Sequence, residues 1–241
     1  MNLFSLGDNT STVLLESDPY PTDFADAAEG PIQFFRPAKW SPDGSRLLAD
    51  VSYFPEGSTL SVVNLVENTR VDLTSPDGFV CCYEAWSQDN QSVYFANDTV
   101  GMLTSGLWRA DATTGQGITL IAGEENGIYS LVAYPYEATD GQIYTFMAIA
   151  ATLPEEYMPL AMTRSALDGI TGRTTLRADS YILGGVLWDP AGRGAVIVDV
   201  TEQIMALGFP EQVSNPLLWL SSDGSPAVTL PAKGSMPKWG K

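Results

Sequence analysis

Histidine is absent from all 241 residues. That absence excludes a Ser-His-Asp triad, a histidine general base and a histidine metal ligand. Cysteine is nearly absent, with only Cys81 and Cys82, and a structural zinc site usually needs about four Cys or His ligands. No metal and no cofactor is expected. Basic residues are few: 12 Lys and Arg face 29 Asp and Glu, for a formal net charge of −17. So acidic a surface repels phosphate backbones and anionic headgroups, which argues against nucleic acid as a partner. Long apolar runs are missing too. Thr145–Leu153 and Gly194–Val200 are strand-sized, well short of the roughly 18 residues of a membrane span, so no membrane insertion is expected. The opening MNLFSLGDNTSTVLLES has neither the basic n-region nor the apolar h-region of a signal peptide. It reads as two short strands around a Gly-Asp-Asn turn, as if starting mid-way through a structural unit.

What is present suits a packed all-β domain: 44% of residues are hydrophobic and 17% charged. One pattern recurs. WSPDGSRLLADVS starts at Trp40, WSQDNQSVYFAND at Trp86, YEATDGQIYTFMA at Tyr136 and WDPAGRGAVIVDV at Trp188, and PKWGK ends the chain with Trp239. The period is about 50 residues. In each unit an extended run reaches the aromatic, and a polar turn follows. Asp43-Gly44, Asp89, Asp140-Gly141 and Gly192 stand where a tight turn needs them. An apolar strand comes next, then two more strands joined by Asp/Gly turns, as in antiparallel hairpins.

Four strands at this period describe the blade of a β-propeller. The aromatic then packs between blades, and the second strand is apolar on both faces because blades stack on both sides. The expected fold is a single propeller domain over 1–241, built of four-stranded antiparallel blades at about 31–76, 79–123, 127–180 and 181–232, with partial repeats at 1–20 and 235–241. Either the two ends meet in a fifth blade, or the chain is a segment of a larger propeller. The missing second strand of the partial blade favours the segment.

The Trp-Ser-Pro-Asp-Gly turn at Trp40–Gly44 resembles the TolB-like, or PD40, member of the WD40-like propeller repeats. The other units depart from that signature: Gln88 replaces Pro and Asn90 Gly in the second, Tyr136 replaces Trp in the third, and Ala191 replaces Asp in the fourth. The resemblance implies the fold, and either a protein-binding platform or the non-catalytic domain of a larger enzyme. It also implies an extracytoplasmic location.

Candidate chemistry lies on and beside the inner strands. Cys81-Cys82, in FVCCYEAW, are expected as two small apolar residues of an inner strand, with a redox or thiol role as the alternative. Adjacent strand side chains point to opposite faces, so a disulfide between them would need a turn. The acids Glu84, Glu137 and Asp189 sit at differing offsets from their aromatics. That scatter points to turn and surface roles rather than to a tunnel glycosidase. Asp43, Asp89, Asp140 and Asp223 are expected to cap their own turns, and their spacing is not that of an EF-hand. Tyr83, Tyr134, Tyr136 and Tyr181 belong to the core, with one or two at a tunnel mouth. Tyr83, Tyr134 and Arg36 are the candidate binding residues there; Arg36 suits an anionic ligand or a plain ion pair. Tyr157 and Met158, in the loop Leu153–Pro159, and a second loop, Glu202–Pro216, form a partner-binding rim or fold back as caps.

The leading functional reading is a non-catalytic module presenting loops to a protein or small-ligand partner. The alternative is the access-filter propeller of a prolyl-oligopeptidase-like serine peptidase. No G-x-S-x-G elbow followed by His is present, so this chain alone would not cleave.

Overall fold

The computed structural model describes residues 1–5, 7–19, 32–54, 57–78, 80–99, 104–152, 157–202 and 215–234. Four antiparallel sheets follow one another along the chain. The first holds β3 (Ile32–Trp40), β4 (Arg46–Phe54), β5 (Ser58–Asn64) and β6 (Thr69–Asp72) in sequential order. The second holds β7 (Tyr83–Trp86), β8 (Ser92–Asn97), β9 (Gly106–Asp111) and β10 (Gly117–Ala122). The third holds β12 (Ile128–Glu137), β13 (Ile143–Ala150), β14 (Leu160–Ser165) and β15 (Thr174–Tyr181), with the two-residue β11 (Glu124–Glu125) added beside β12. The fourth holds β16 (Leu183–Trp188), β17 (Gly194–Asp199), β18 (Pro216–Ser221) and β19 (Val228–Lys233). Ahead of them β1 (Asn2–Phe4) pairs with β2 (Ser11–Val13). This is the expected blade pattern. The expected partial repeat at 235–241, with Trp239, lies outside the described residues.

The turn grammar explains why each sheet forms. After each aromatic one residue takes a left-handed φ: Gly44 at 73°, Asn90 at 61°, Gly141 at 74° and Gly192 at 71°. Asn tolerates this conformation better than other non-glycine residues, so Asn90 substitutes for glycine at small cost. Asp43, Asp89 and Asp140 each accept a hydrogen bond from the backbone N–H two residues on, at 3.0, 2.9 and 3.0 Å. The fourth unit lacks that Asp. There Asp189, directly after Trp188, accepts from the Ala191 N–H at 2.9 Å. The second strands carry the core: β8, β13 and β17 each begin or continue as a buried run, including Val93, Phe95, Ile143, Phe146, Ala195 and Ile197.

Contacts divide the chain into two units. In the unit of Met1–Cys81, Asp89–Val93 and Arg109–Ile118, Met1, Leu14 and Leu15 pack on Leu47, Ala49 and Val63. Asn90 ties the first turn: its Oδ1 accepts from the Asp43 N–H at 3.2 Å and its carbonyl from Arg46 Nη1 at 3.3 Å. Trp40 corrects an expectation here. It is 50% exposed, whereas Trp86 and Trp188 are 5% and 7% exposed. Trp188 is covered by Tyr136, Tyr144 and Phe146 of the sheet that precedes its own. Trp40 opens the series; among the described residues, only the short β1–β2 pair stands ahead of its sheet.

In the unit of Cys82–Gln88, Tyr94–Trp108 and Thr119–Lys241, one cluster joins Leu131, Phe146, Leu160 and Met162 to Ile197 and Leu220. Another joins Tyr94, Leu107 and Ile121 to Val132 and Ile143. Among the described residues no helix is long and apolar enough to cross a membrane.

Candidate ligand site at the inner strands

Two of the expected binding residues meet. Tyr83 opens β7 and Tyr134 lies in β12, and their rings stand 4.2 Å apart between centroids, tilted by 40°. Tyr134 is there because β12 is broken. The register with β13 shifts between Ala133 and Tyr136, where Pro135 has no N–H for the ladder. Tyr134 takes φ 51°, an uncommon conformation for a bulky residue that tends to mark functional sites. The bulge is anchored from the next sheet: the Trp188 indole N–H donates to the Tyr134 carbonyl at 2.9 Å.

Asp98, just beyond β8, completes the cluster. The Tyr83 hydroxyl donates to its Oδ1 at 3.2 Å. Burial raises the Asp98 carboxyl above its usual value, against a lowering by the Tyr83 hydrogen bond. Burial likewise raises both phenols, Tyr134 to about 12. All three groups are half-buried. Among the described residues no ion pair reaches Asp98. Residue type did not single out Asp98, which closes an ordinary strand, SVYFAND. The proline in VAYPYE was the available signal for the bulge.

Cys81 and Cys82 need a correction. They lie in an irregular segment before β7, not in the strand, and they are joined by a disulfide. The chain bends at Cys82, so the two side chains are not held on opposite faces as a strand would hold them. Cys82 is exposed, and its N–H still donates to the Ala96 carbonyl at 3.1 Å.

Glu137 is a second correction. It is buried at 8% exposure rather than on the surface. Its carboxylate accepts from the Tyr94 hydroxyl at 2.9 Å, and its carbonyl accepts from Gln88 Nε2 at 2.7 Å. Asp189 is buried in its turn and paired with Arg193. Arg36 is exposed on β3, opposite Asp50. The rim loop divides: Met158 packs on the core, and Tyr157 is 41% exposed. Tyr181 is half-buried and donates to Asp179 at 2.8 Å. The second loop, at 203–214, lies outside the described residues. Among the described residues no group of three or more acids and cysteines is placed to hold a metal.

Comparison with known proteins gives the class. The fold is a β-propeller. The crystal structure of TolB from Acinetobacter baumannii matches over 98% of this chain and 51% of that one, with a TM-score of 0.55 and 15% identity. A puromycin-hydrolyzing peptidase from Mycobacterium tuberculosis matches over 91% of this chain and 34% of that one, with a TM-score of 0.53 and 14% identity. The chain thus spans about half the length of the first and a third of the second. No family model matches the chain, and no curated protein does.

Proposed function

We propose that this propeller is a non-catalytic binding module that captures a cationic group of a protein or small-ligand partner beside the contacting Tyr83–Tyr134 pair, against Asp98. The carrying observation is a half-buried carboxyl bonded to the hydroxyl of one of two contacting phenols, with no ion pair among the described residues. Tyrosine faces attract cations, and a charge of −17 steers them inward. The non-catalytic reading rests on the missing histidine and on acids with separate tasks, Glu137 with Tyr94 and Asp189 with Arg193. The Cys81–Cys82 disulfide supports an extracytoplasmic setting, since disulfides persist where thiols are not kept reduced.

Calorimetric titration with a single-arginine peptide tests this. Asp98→Asn weakens binding about tenfold, the loss of one charge-assisted contact. Glu125→Gln, on an exposed hairpin, leaves it unchanged. Equal weakening by both variants means that only the net field attracts the peptide, and overturns the reading. A second reading, the access filter of a serine peptidase, draws on the likeness to the mycobacterial enzyme. Peptidase activity gained only on joining further sequence to this chain would select it.

A further inference from the structure

Three features of the fourth blade converge. The residue after the aromatic is Asp189, an acid like Glu137 of the third unit; the turn ends in Arg193, where the other units have Ser45, Gln91 and Gln142; and the third strand carries Trp219, as that of the second blade carries Trp108. The first two lie in the β16–β17 turn. Trp219 stands on β18 opposite Val196 of β17. With Ser221, Ser222 and Asp223 of the next turn they line a cleft of about 640 Å³. Of the four turns, the fourth alone places an arginine there, beside an acid and an indole.

The geometry gives that cleft a floor and a polar rim. Trp219 is half-exposed, and it lies against Gly194, where a Cβ would stand 2.8 Å from Trp219 Cζ2 and 2.2 Å from the Leu220 carbonyl oxygen. Glycine therefore lets the indole settle on backbone at one side while it lines the cleft. Arg193 is held by two bonds to Asp189, Nε to Oδ1 at 3.0 Å and Nη2 to Oδ2 at 2.6 Å. Its side chain is still 76% exposed, so the rest of the guanidinium edge faces solvent. The turn that carries Ser221, Ser222 and Asp223 is held by Arg177, whose Nη1 donates to the Ser221 and Ser225 carbonyls at 2.9 and 2.6 Å.

From this arrangement we infer that the Trp219 cleft is a binding site for a neutral saccharide. An indole face offers apolar stacking area to the C–H face of a sugar ring. The lining supplies guanidinium donors from Arg193, a carboxylate acceptor at Asp223 and serine hydroxyls, the groups that hydrogen-bond sugar hydroxyls. Arg193 is neutralised by Asp189, and the surrounding chain is strongly acidic. An anionic ligand gains no uncompensated cation here and meets a repelling field.

Indole fluorescence and saturation-transfer NMR with chitotriose, maltotriose, cellotriose and trigalacturonate test the site. At least one neutral trisaccharide gives a saturable signal with a dissociation constant on the order of 1 mM, as one half-buried aromatic platform implies. Trp219→Ala abolishes it. Arg193→Ala, at an exposed rim, weakens it about tenfold, the effect of one charged hydrogen-bonding group. Binding unchanged in both variants overturns the assignment. So does the absence of a saturable signal from every neutral sugar, or binding of trigalacturonate alone. Arg193→Ala retains cooperative unfolding, so loss of binding there is not loss of fold.

Discussion

Glycine at the blade turns answers two demands that can be separated. Gly44 has φ 73°, and a Cβ there would meet nothing within 4 Å. Gly192 has φ 71°, but a Cβ there would lie 2.7 Å from the Tyr144 hydroxyl oxygen. Gly44→Ala therefore costs the left-handed conformation alone, about 1 kcal/mol. Gly192→Ala adds the clash and costs about 2 kcal/mol or more. Asn90→Gly, at φ 61°, relieves the backbone but removes the acceptor of the Asp43 N–H, and costs about 0.5–1 kcal/mol. Urea unfolding of the three variants reads the order directly, and equal costs at the two glycines would contradict it. Asp98 behaves differently from the turn carboxyls. Burial raises its pKa above the usual 3.8, so the stability it contributes is present below that value and is lost as the pH rises through its folded one. Asp98→Asn keeps an acceptor for Tyr83 and gains stability over the parent as the pH rises above the carboxylate range, with no gain below it. A gain that is the same at all pH values would contradict burial as the cause.

The Trp motif has one spelling and two fates. Trp188 is walled in by Tyr136, Tyr144 and Phe146 and donates to Tyr134, whereas Trp40 is half-exposed. Trp188→Ala should cost about 3–5 kcal/mol and loosen the β12 bulge. Trp40→Ala should cost about 0.5 kcal/mol. Equal thermal shifts would contradict this difference in packing. The blades were legible in the sequence because turn chemistry and apolar second strands recur with a fixed period, and each copy supports the others. The fate of each Trp was not legible, since it depends on what packs against that sheet. The site was half legible. Tyr83 and Tyr134 stand out as aromatics on inner strands, but Asp98 closes an ordinary strand and matters only through its burial. The Cys-Cys bond was hidden because FVCCYEAW reads as continuous strand, and the chain bends at Cys82 instead.

For the molecule as a whole, acidity is a structural dependence as well as a steering field. Hydrogen bonds from Ser45, Thr114, Thr171 and Ser225 hold Asp43, Asp111, Asp168 and Asp223 below the usual value of 3.8, Asp223 at about 2. A carboxyl depressed in the folded state adds stability above its unfolded pKa and loses it as the pH falls toward the folded one. The unfolding midpoint should therefore drop between pH 3.8 and about 2, as the turns lose their acceptors. A midpoint flat across that window would mean the turn carboxylates add nothing. The repeated turn thus reverses the chain and carries part of the negative charge on which the proposed cation capture relies.

The capture of that cation is best tested by ring-carbon NMR of labelled tyrosines during titration with a monovalent alkylguanidinium. Saturable shifts confined to Tyr83 and Tyr134, and lost in Asp98→Asn, are the predicted result. Shifts spread over tyrosines elsewhere, or unchanged in Asp98→Asn, would contradict the site.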